Sequence, residues 1–248
     1  MKKIYFLSDF HLGVPTYELS RERERVLCAF LQEIKNDAEE IFLVGDIFDM
    51  WFEYKTVVPK GYVRLLGTLA QLSDIGIKIS AFTGNHDMWM FGYFEKELGI
   101  PVHRTNIERE WNGKKFLIGH GDGLGPGDNG YKVIKKIFAS KLCQWLFGWI
   151  HPDLGLRLAN ALSRRSRIAT GTTDAQWLGD DKEHLFIYCN EILKQKHFDY
   201  FVFGHRHFPL QKPLNGNSTY INLGDWVKYF TYLVFDGTTC ELKTYPPQ

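Results

Sequence analysis

Ile41-Phe42-Leu43-Val44-Gly45-Asp46-Ile47-Phe48-Asp49 is the stretch that decides the fold of this chain. The apolar run reads as a buried strand. A glycine breaks it, and two carboxylates follow. The pattern recurs on either side. Ile4-Tyr5-Phe6-Leu7 runs into Ser8-Asp9-Phe10-His11, and the strand read over Ile77 to Phe82 runs into Gly84-Asn85-His86-Asp87. Leu19, Val26, Leu27, Phe30, Leu31 and Ile34 recur at helical spacing, which predicts an amphipathic helix over Tyr17 to Lys35. Val63, Leu65, Leu66, Leu69 and Leu72 mark a second helix. Strand, helix, strand, helix, strand implies a parallel βαβ layout.

Further along, the style changes. Asn112-Gly113 between Glu108-Arg109-Glu110-Trp111 and Lys115-Phe116-Leu117-Ile118 signals a hairpin. Asp181 to Lys196 reads as a helix, Tyr200-Phe201-Val202-Phe203 as a buried strand, and Asp236-Gly237 as the turn of a last hairpin. The expected fold class is α/β, a layered sandwich of mixed β-sheets flanked by helices. Residues 1–248 are expected to form a single domain, with a helical cap inserted over about 129–179, where the strand pattern is interrupted.

Composition sets outer limits. A chain of 248 residues, 44% hydrophobic and 24% charged, can bury a core as one domain, and its net charge of +1 points to no partner. Cys28, Cys143, Cys189 and Cys240 form no CxxC pair, which excludes a zinc ribbon or disulfide framework and predicts small buried thiols. Lys2-Lys3 precedes an apolar run too short for a signal peptide, and no stretch reaches the ~18 residues of a membrane span, so the expected compartment is the cytoplasm.

Candidate metal ligands gather where strands are expected to end. Asp9 and His11, Asp46 and Asp49, Asn85 and His86, His120 in Gly119-His120-Gly121-Asp122, and His205 and His207 in Gly204-His205-Arg206-His207 each follow a strand. Loops at one sheet edge converge, and α/β sheets bind ligands beyond the carboxyl ends of their strands. Asp9 and His11 are two apart, as are His205 and His207, so an extended backbone would send each pair to one side. Carboxylates, imidazoles and an amide, with no thiolate, suit Mn, Fe, Zn or Mg. Each motif alone is weak: GDxxD is also a turn with a helix cap, and a lone His is more often a hydrogen-bonded residue than a ligand. Their joint occurrence in this order is specific.

The ordered set D-x-H, GD-x-x-D, GNHD, H and GHxH resembles the calcineurin-like metallophosphoesterase superfamily, from Asp9 to His207. The resemblance implies two divalent ions, Mn2+ first and Fe, Zn or Mg as other choices. Asp9, His11, Asp46 and His207 would hold one ion. Asp46, Asn85, His120 and His205 would hold the other, with Asp46 shared. His86 would face substrate, oriented by Asp49, and the reaction would be two-metal activation of water for phosphoester hydrolysis.

Within the superfamily, Phe6 to Leu12, Gly45 to Trp51 and the run His120-Gly121-Asp122, Asp128, Tyr131 resemble the UDP-2,3-diacylglucosamine diphosphatases of lipid A biosynthesis. Many of these carry Arg where this chain has His86. The resemblance implies substrate contacts at Asn85, His86, Asp128, Tyr131, Arg157, Ser166 and His205. The inserted segment agrees. Tyr131 to Ile168 carries a local charge of +7, leaving the rest near −6, and interleaves Ile134, Ile137, Phe138, Leu142, Trp145, Leu146, Phe147, Trp149 and Ile150. Such a segment reads as an interfacial element on the cytoplasmic face of the inner membrane, or as a pocket for acyl chains. The competing readings are amphipathic helices that bury their apolar face on the core, and a basic aromatic patch for nucleic acid, which would suit a nuclease. Nucleic acid is disfavoured. Soluble or cyclic nucleotides are the alternative substrates.

Overall fold

A computed structural model describes residues 2–127, 129–170 and 176–245, with backbone alone over 164–170. The expected unit is present as β1 (Lys3–Leu7), α1 (Tyr17–Ile34), β2 (Ala38–Val44), α2 (Val63–Asp74) and β3 (Lys78–Phe82), with the three strands parallel. Thr16 caps α1, its hydroxyl accepting from Leu19 N. α1 also braces its surroundings. Buried Arg23 donates to the carbonyls of Phe10 and His11, both at 2.9 Å, and buried Glu24 accepts from Arg64 N and Leu65 N at the start of α2.

The chain continues through α3 (Tyr93–Glu97), β4 (Val102–His103), β5 (Ile107–Trp111) and β6 (Lys114–Gly119). At the β5–β6 turn both Asn112 and Gly113 have positive φ, as the twist of a tight hairpin requires. Three helices follow, α4 (Asn129–Ala139), α5 (Lys141–Gly148) and α6 (Pro152–Thr170), and then α7 (His184–Leu193). The chain closes with β7 (Tyr200–Phe203), β8 (Pro209–Pro213), β9 (Thr219–Leu223), β10 (Thr231–Phe235) and β11 (Cys240–Thr244).

Two mixed sheets result. One has the order β11-β10-β1-β2-β3-β4 and the other β5-β6-β7-β9-β8. Phe6, Phe42 and Phe82 of the first pack against Phe116, Val202 and Ile221 of the second. Outside the first sheet lie Leu27, Phe30, Leu31, Leu65, Leu69 and Leu72 of α1 and α2. Outside the second lie Leu185, Phe186 and Cys189 of α7. The layers are therefore helix, sheet, sheet, helix, as the alternation of elements predicts.

α4 to α6 stand apart from these layers. No residue of α4 or α5 is fully buried, and only part of the apolar face of the inserted helices packs on the core. Phe147 packs on Phe52 and Trp89, and Trp89 Nε1 donates to the Phe138 carbonyl at 2.9 Å. Ile134, Ile137, Leu142, Trp145, Leu146, Trp149, Leu158 and Leu162 remain exposed. No helix among the described residues is long and apolar enough to cross a membrane. The four thiols are unpaired; Cys189 and Cys240 are buried as expected, whereas Cys28 and Cys143 are half-buried.

Candidate metal centre

The loops after β1, β2, β3, β6 and β7 meet at one place, and they meet through strained backbone. Asp9, His11, Asp46, His205 and His207 all have positive φ, at 57°, 44°, 51°, 70° and 51°. Left-handed conformations of non-glycine residues cost about 1–3 kcal/mol each and persist where the surroundings over-determine them. The Asp9/His11 and His205/His207 pairs thus reach the same side by turning, not by alternation along an extended chain. The loops are laced together by Asp9 N to Gly45 O, His11 N to Asp46 O and Gly204 N to His120 O. Glycine is required where they touch. A Cβ on Gly84 would collide with the Asp46 carboxylate, and one on Gly204 with Ser8 and Asp9.

Asp46 sits at the centre. Its Oδ1 accepts from His86 N at 2.9 Å, while its Oδ2 lies 3.6 Å from His11 Nε2 and 3.4 Å from His120 Nε2. On one side, Asp9 Oδ1 is 3.6 Å from His11 Nε2 and 3.8 Å from His207 Nε2. On the other, Asn85 Oδ1 is 3.3 Å from His120 Nε2 and 3.0 Å from His205 Nδ1. The seven side chains form two groups that share one carboxylate oxygen.

This donor set fits divalent cations. Asp9 Oδ1, Asp46 Oδ2 and both nitrogens of His11 are buried without a hydrogen-bond partner. Polar atoms so placed cost about 1–3 kcal/mol each unless something satisfies them, and a cation between Asp9 Oδ1, Asp46 Oδ2 and His11 Nε2 would satisfy those three together. The protonation pattern points the same way. Burial pushes His120 down, but the Asp46 carboxylate and its hydrogen bond raise it to about 10. The proton demanded there stands where a positive ion would serve. Burial, then the charge of His120, lowers His205 to about 4, and burial lowers His86 to about 4 despite Asp46.

A second set of groups fixes the first. The Val44 carbonyl lies 2.9 Å from His120 Nδ1 and Asp225 Oδ2 3.5 Å from His207 Nδ1, which leaves Nε2 of each ring facing the centre. Asp49 lies with its carbonyl 3.1 Å and Oδ1 3.4 Å from His86 Nδ1, and Oδ1 also 3.6 Å from His11 Nδ1. Buried Asp87 accepts from Ile47 N and Gly84 N, tying the β2 loop to the β3 loop; burial and Asp46 raise it to about 7.

A family model described as calcineurin-like phosphoesterase matches residues 2–209. The chain belongs to that family. This calcineurin-like phosphoesterase is 37% identical to the UDP-2,3-diacylglucosamine hydrolase of Porphyromonas gingivalis, over 98% of this chain and 97% of that one. It is 27% identical to the protein of the same name from Histophilus somni, over 91% and 93%, and 24% identical to that of Shewanella putrefaciens, over 97% and 96%. It is a metal-dependent hydrolase, as the order of its motifs implied.

The residues expected to touch substrate are less evenly placed. Asn85, His86 and His205 lie in the centre. Tyr131, on α4, donates to Asp122 Oδ2 at 2.6 Å, and its ring centre is 6.5 Å from that of His205. Arg157 is exposed on α6. Asp128 and the side chain of Ser166 lie outside the described residues. Two participants escaped sequence reasoning. Asp225 repeats the glycine-aspartate step after a strand, in Leu223-Gly224-Asp225, which was a usable signal. Ser163 comes from α6, and nothing local in the sequence marks it.

Proposed function

We propose that this phosphoesterase hydrolyses the diphosphate of UDP-2,3-diacylglucosamine, giving UMP and 2,3-diacylglucosamine 1-phosphate. The observation that carries this reading is the meeting of two unlike surfaces. A centre of buried carboxylates and imidazoles suits a diphosphate. The exposed apolar side chains of α4 to α6 suit two acyl chains, and α6 touches that centre through Ser163. The names of the relatives support the same substrate.

Asp9, His11, Asp46 and His207 would hold one divalent ion, and Asp46, Asn85, His120 and His205 the other. Ions bound there supply Lewis acidity, which draws charge from a phosphoryl group and makes water a nucleophile near neutral pH. Mn2+ is our first assignment, on the family resemblance; the donors themselves, carboxylate, imidazole and amide with no thiolate, suit Fe, Zn and Mg as well. His86 is the substrate-facing residue. Its Nδ1 is held by the Asp49 carbonyl and carboxylate, so Nε2 is left for a phosphoryl oxygen. The negative charge arriving with substrate raises the affinity of the ring for its second proton, and Asp49 supports that charge. Asn85, His205, Tyr131, Arg157, Asp128 and Ser166 complete the substrate contacts.

Residues 1–248 act as one domain and about 129–179 as its cap. The cap's positive charge and the exposed Trp145 and Trp149 support a peripheral position on the cytoplasmic face of the inner membrane. Product analysis tests the whole reading. UDP-2,3-diacylglucosamine should give UMP and the lipid phosphate with higher kcat/KM than any soluble or cyclic nucleotide. The reverse order of kcat/KM would move the assignment to soluble nucleotides.

A further inference from the structure

An arginine stands between the two histidines that complete the metal set. Arg206 N donates to Gly204 O at 2.8 Å, so the loop reverses within three residues, with left-handed backbone at His205 and His207 on either side. Such a loop needs holding from more than one direction. From inside, His205 N donates to Asp9 Oδ2 and Asn222 Nδ2 donates to Gly204 O. From outside, the hold is Arg206. Its Nε donates to Glu183 Oε1 at 2.7 Å and its terminal nitrogen to Glu183 Oε2 at 3.2 Å. That same nitrogen donates to the Gln176 carbonyl at 3.1 Å, and the guanidinium lies 5.5 Å from the Phe208 ring centre.

Glu183 is placed oddly for a carboxylate. It is the N-cap of α7, and N-cap side chains ordinarily accept from the first turn of their own helix; this one accepts no such bond. It is 1% exposed, and a carboxylate taken out of water is costly unless its partner is well aimed. Glu183 therefore serves Arg206 instead of its own helix. The planar fork of a guanidinium fixes direction as well as charge, which an ammonium would not do.

We propose that Arg206 and Glu183 form a positioning brace that sets the aim of His205 and His207 and ties both to residues 176–183, where the chain returns from the inserted helices to α7. The proposal rests on the assignment of His205 and His207 to different ions. Because the two histidines share one short loop, loosening it weakens both ions together. It also gives the inserted helices a covalent and ionic route to the metal ligands that does not pass through substrate.

The test compares the wild type with Arg206→Ala and with the double variant Arg206→Met/Glu183→Leu. The double variant removes the fork without leaving a buried charge unpaired, so it folds even where the single variant does not. Mn2+ affinity is read by titration calorimetry well below the melting temperature, alongside the Mn2+ concentration that half-activates hydrolysis of an aryl phosphate. Loss of a group that orients metal ligands typically costs 10–100-fold in affinity, and that is the expected fall in the double variant. The activation midpoint should rise by the same factor, and kcat should recover at saturating Mn2+. A pair with a merely structural role would lower the melting temperature and leave the midpoint in place; that result, with wild-type affinity, overturns the brace alone. A wild-type protein that takes up no divalent ion overturns both the brace and the metal assignment beneath it.

Discussion

The Ser163 hydroxyl, on α6, lies 3.1 Å from Nδ1 of His86, in the loop after β3, and 3.4 Å from Oδ2 of Asp49. An inserted helix thus touches the residue we assign to substrate. Ser163→Ala removes one hydrogen bond of about 0.5–1.5 kcal/mol, so kcat should fall about two- to tenfold with metal content unchanged. An unaltered kcat in a variant that binds substrate normally would show that the contact is incidental.

Asp46→Ala should abolish activity. It removes the one oxygen near both His11 Nε2 and His120 Nε2, and with it the group common to both ion sets. The loss should exceed the ~10²–10⁴-fold typical of deleting a single acid or base. Elemental analysis provides the check: two ions retained at near wild-type turnover would refute the shared-ligand assignment.

His86→Ala should behave differently. His86 Nδ1 is engaged by the Asp49 carbonyl and carboxylate, which leaves Nε2 of the ring for substrate. Both ions should stay, turnover should drop by ~10²–10⁴-fold, and His86→Arg should restore part of it, since a guanidinium also donates to phosphoryl oxygens. Loss of an ion in His86→Ala would make His86 a ligand.

Removing the ions should lower stability, because the buried orphan atoms Asp9 Oδ1 and Asp46 Oδ2 then lose their partner. An ion present at a hundred times its Kd stabilises by about 2.7 kcal/mol. For a chain of 248 residues that corresponds to a melting temperature about 5–10 °C lower after chelation. No shift in calorimetry would contradict a cation at these atoms.

Much of this was legible in the sequence because it is local. Short apolar runs broken by glycine and carboxylate gave β1, β2 and β3 and the ligands after them, and Asn112-Gly113 gave a hairpin. What escaped is what depends on distant partners or short length. α3 and β4 are too short to show a period. β8 has proline at both ends, tolerable because it is an edge strand, and edge position is a property of the finished sheet. The left-handed backbone at Asp9, His11, Asp46, His205 and His207 is uncommon outside glycine, and is imposed by loops that meet only in the folded chain.

The cap offers the last prediction. Trp145 is 59% and Trp149 75% exposed, their ring centres are 5.9 Å apart, and α5 buries none of its residues. Replacing both by serine therefore removes little packing from the fold, and the melting temperature should barely move. The substrates should separate instead. Each acyl CH₂ withdrawn from water is worth ~0.8 kcal/mol, so a few lost contacts to acyl chains or to the bilayer that presents them cost tenfold or more in kcat/KM. Trp145→Ser/Trp149→Ser should show that loss on UDP-2,3-diacylglucosamine and none on a short aryl phosphate, which needs only the metal centre. Repeating the assay with detergent-dispersed substrate then divides the two sources of apolar contact. Recovery without a bilayer assigns the tryptophans to the membrane, and persistence assigns them to the acyl chains. Equal losses on lipid and aryl substrates, with a lowered melting temperature, would make α5 a structural element and leave the exposed tryptophans without a part in substrate capture.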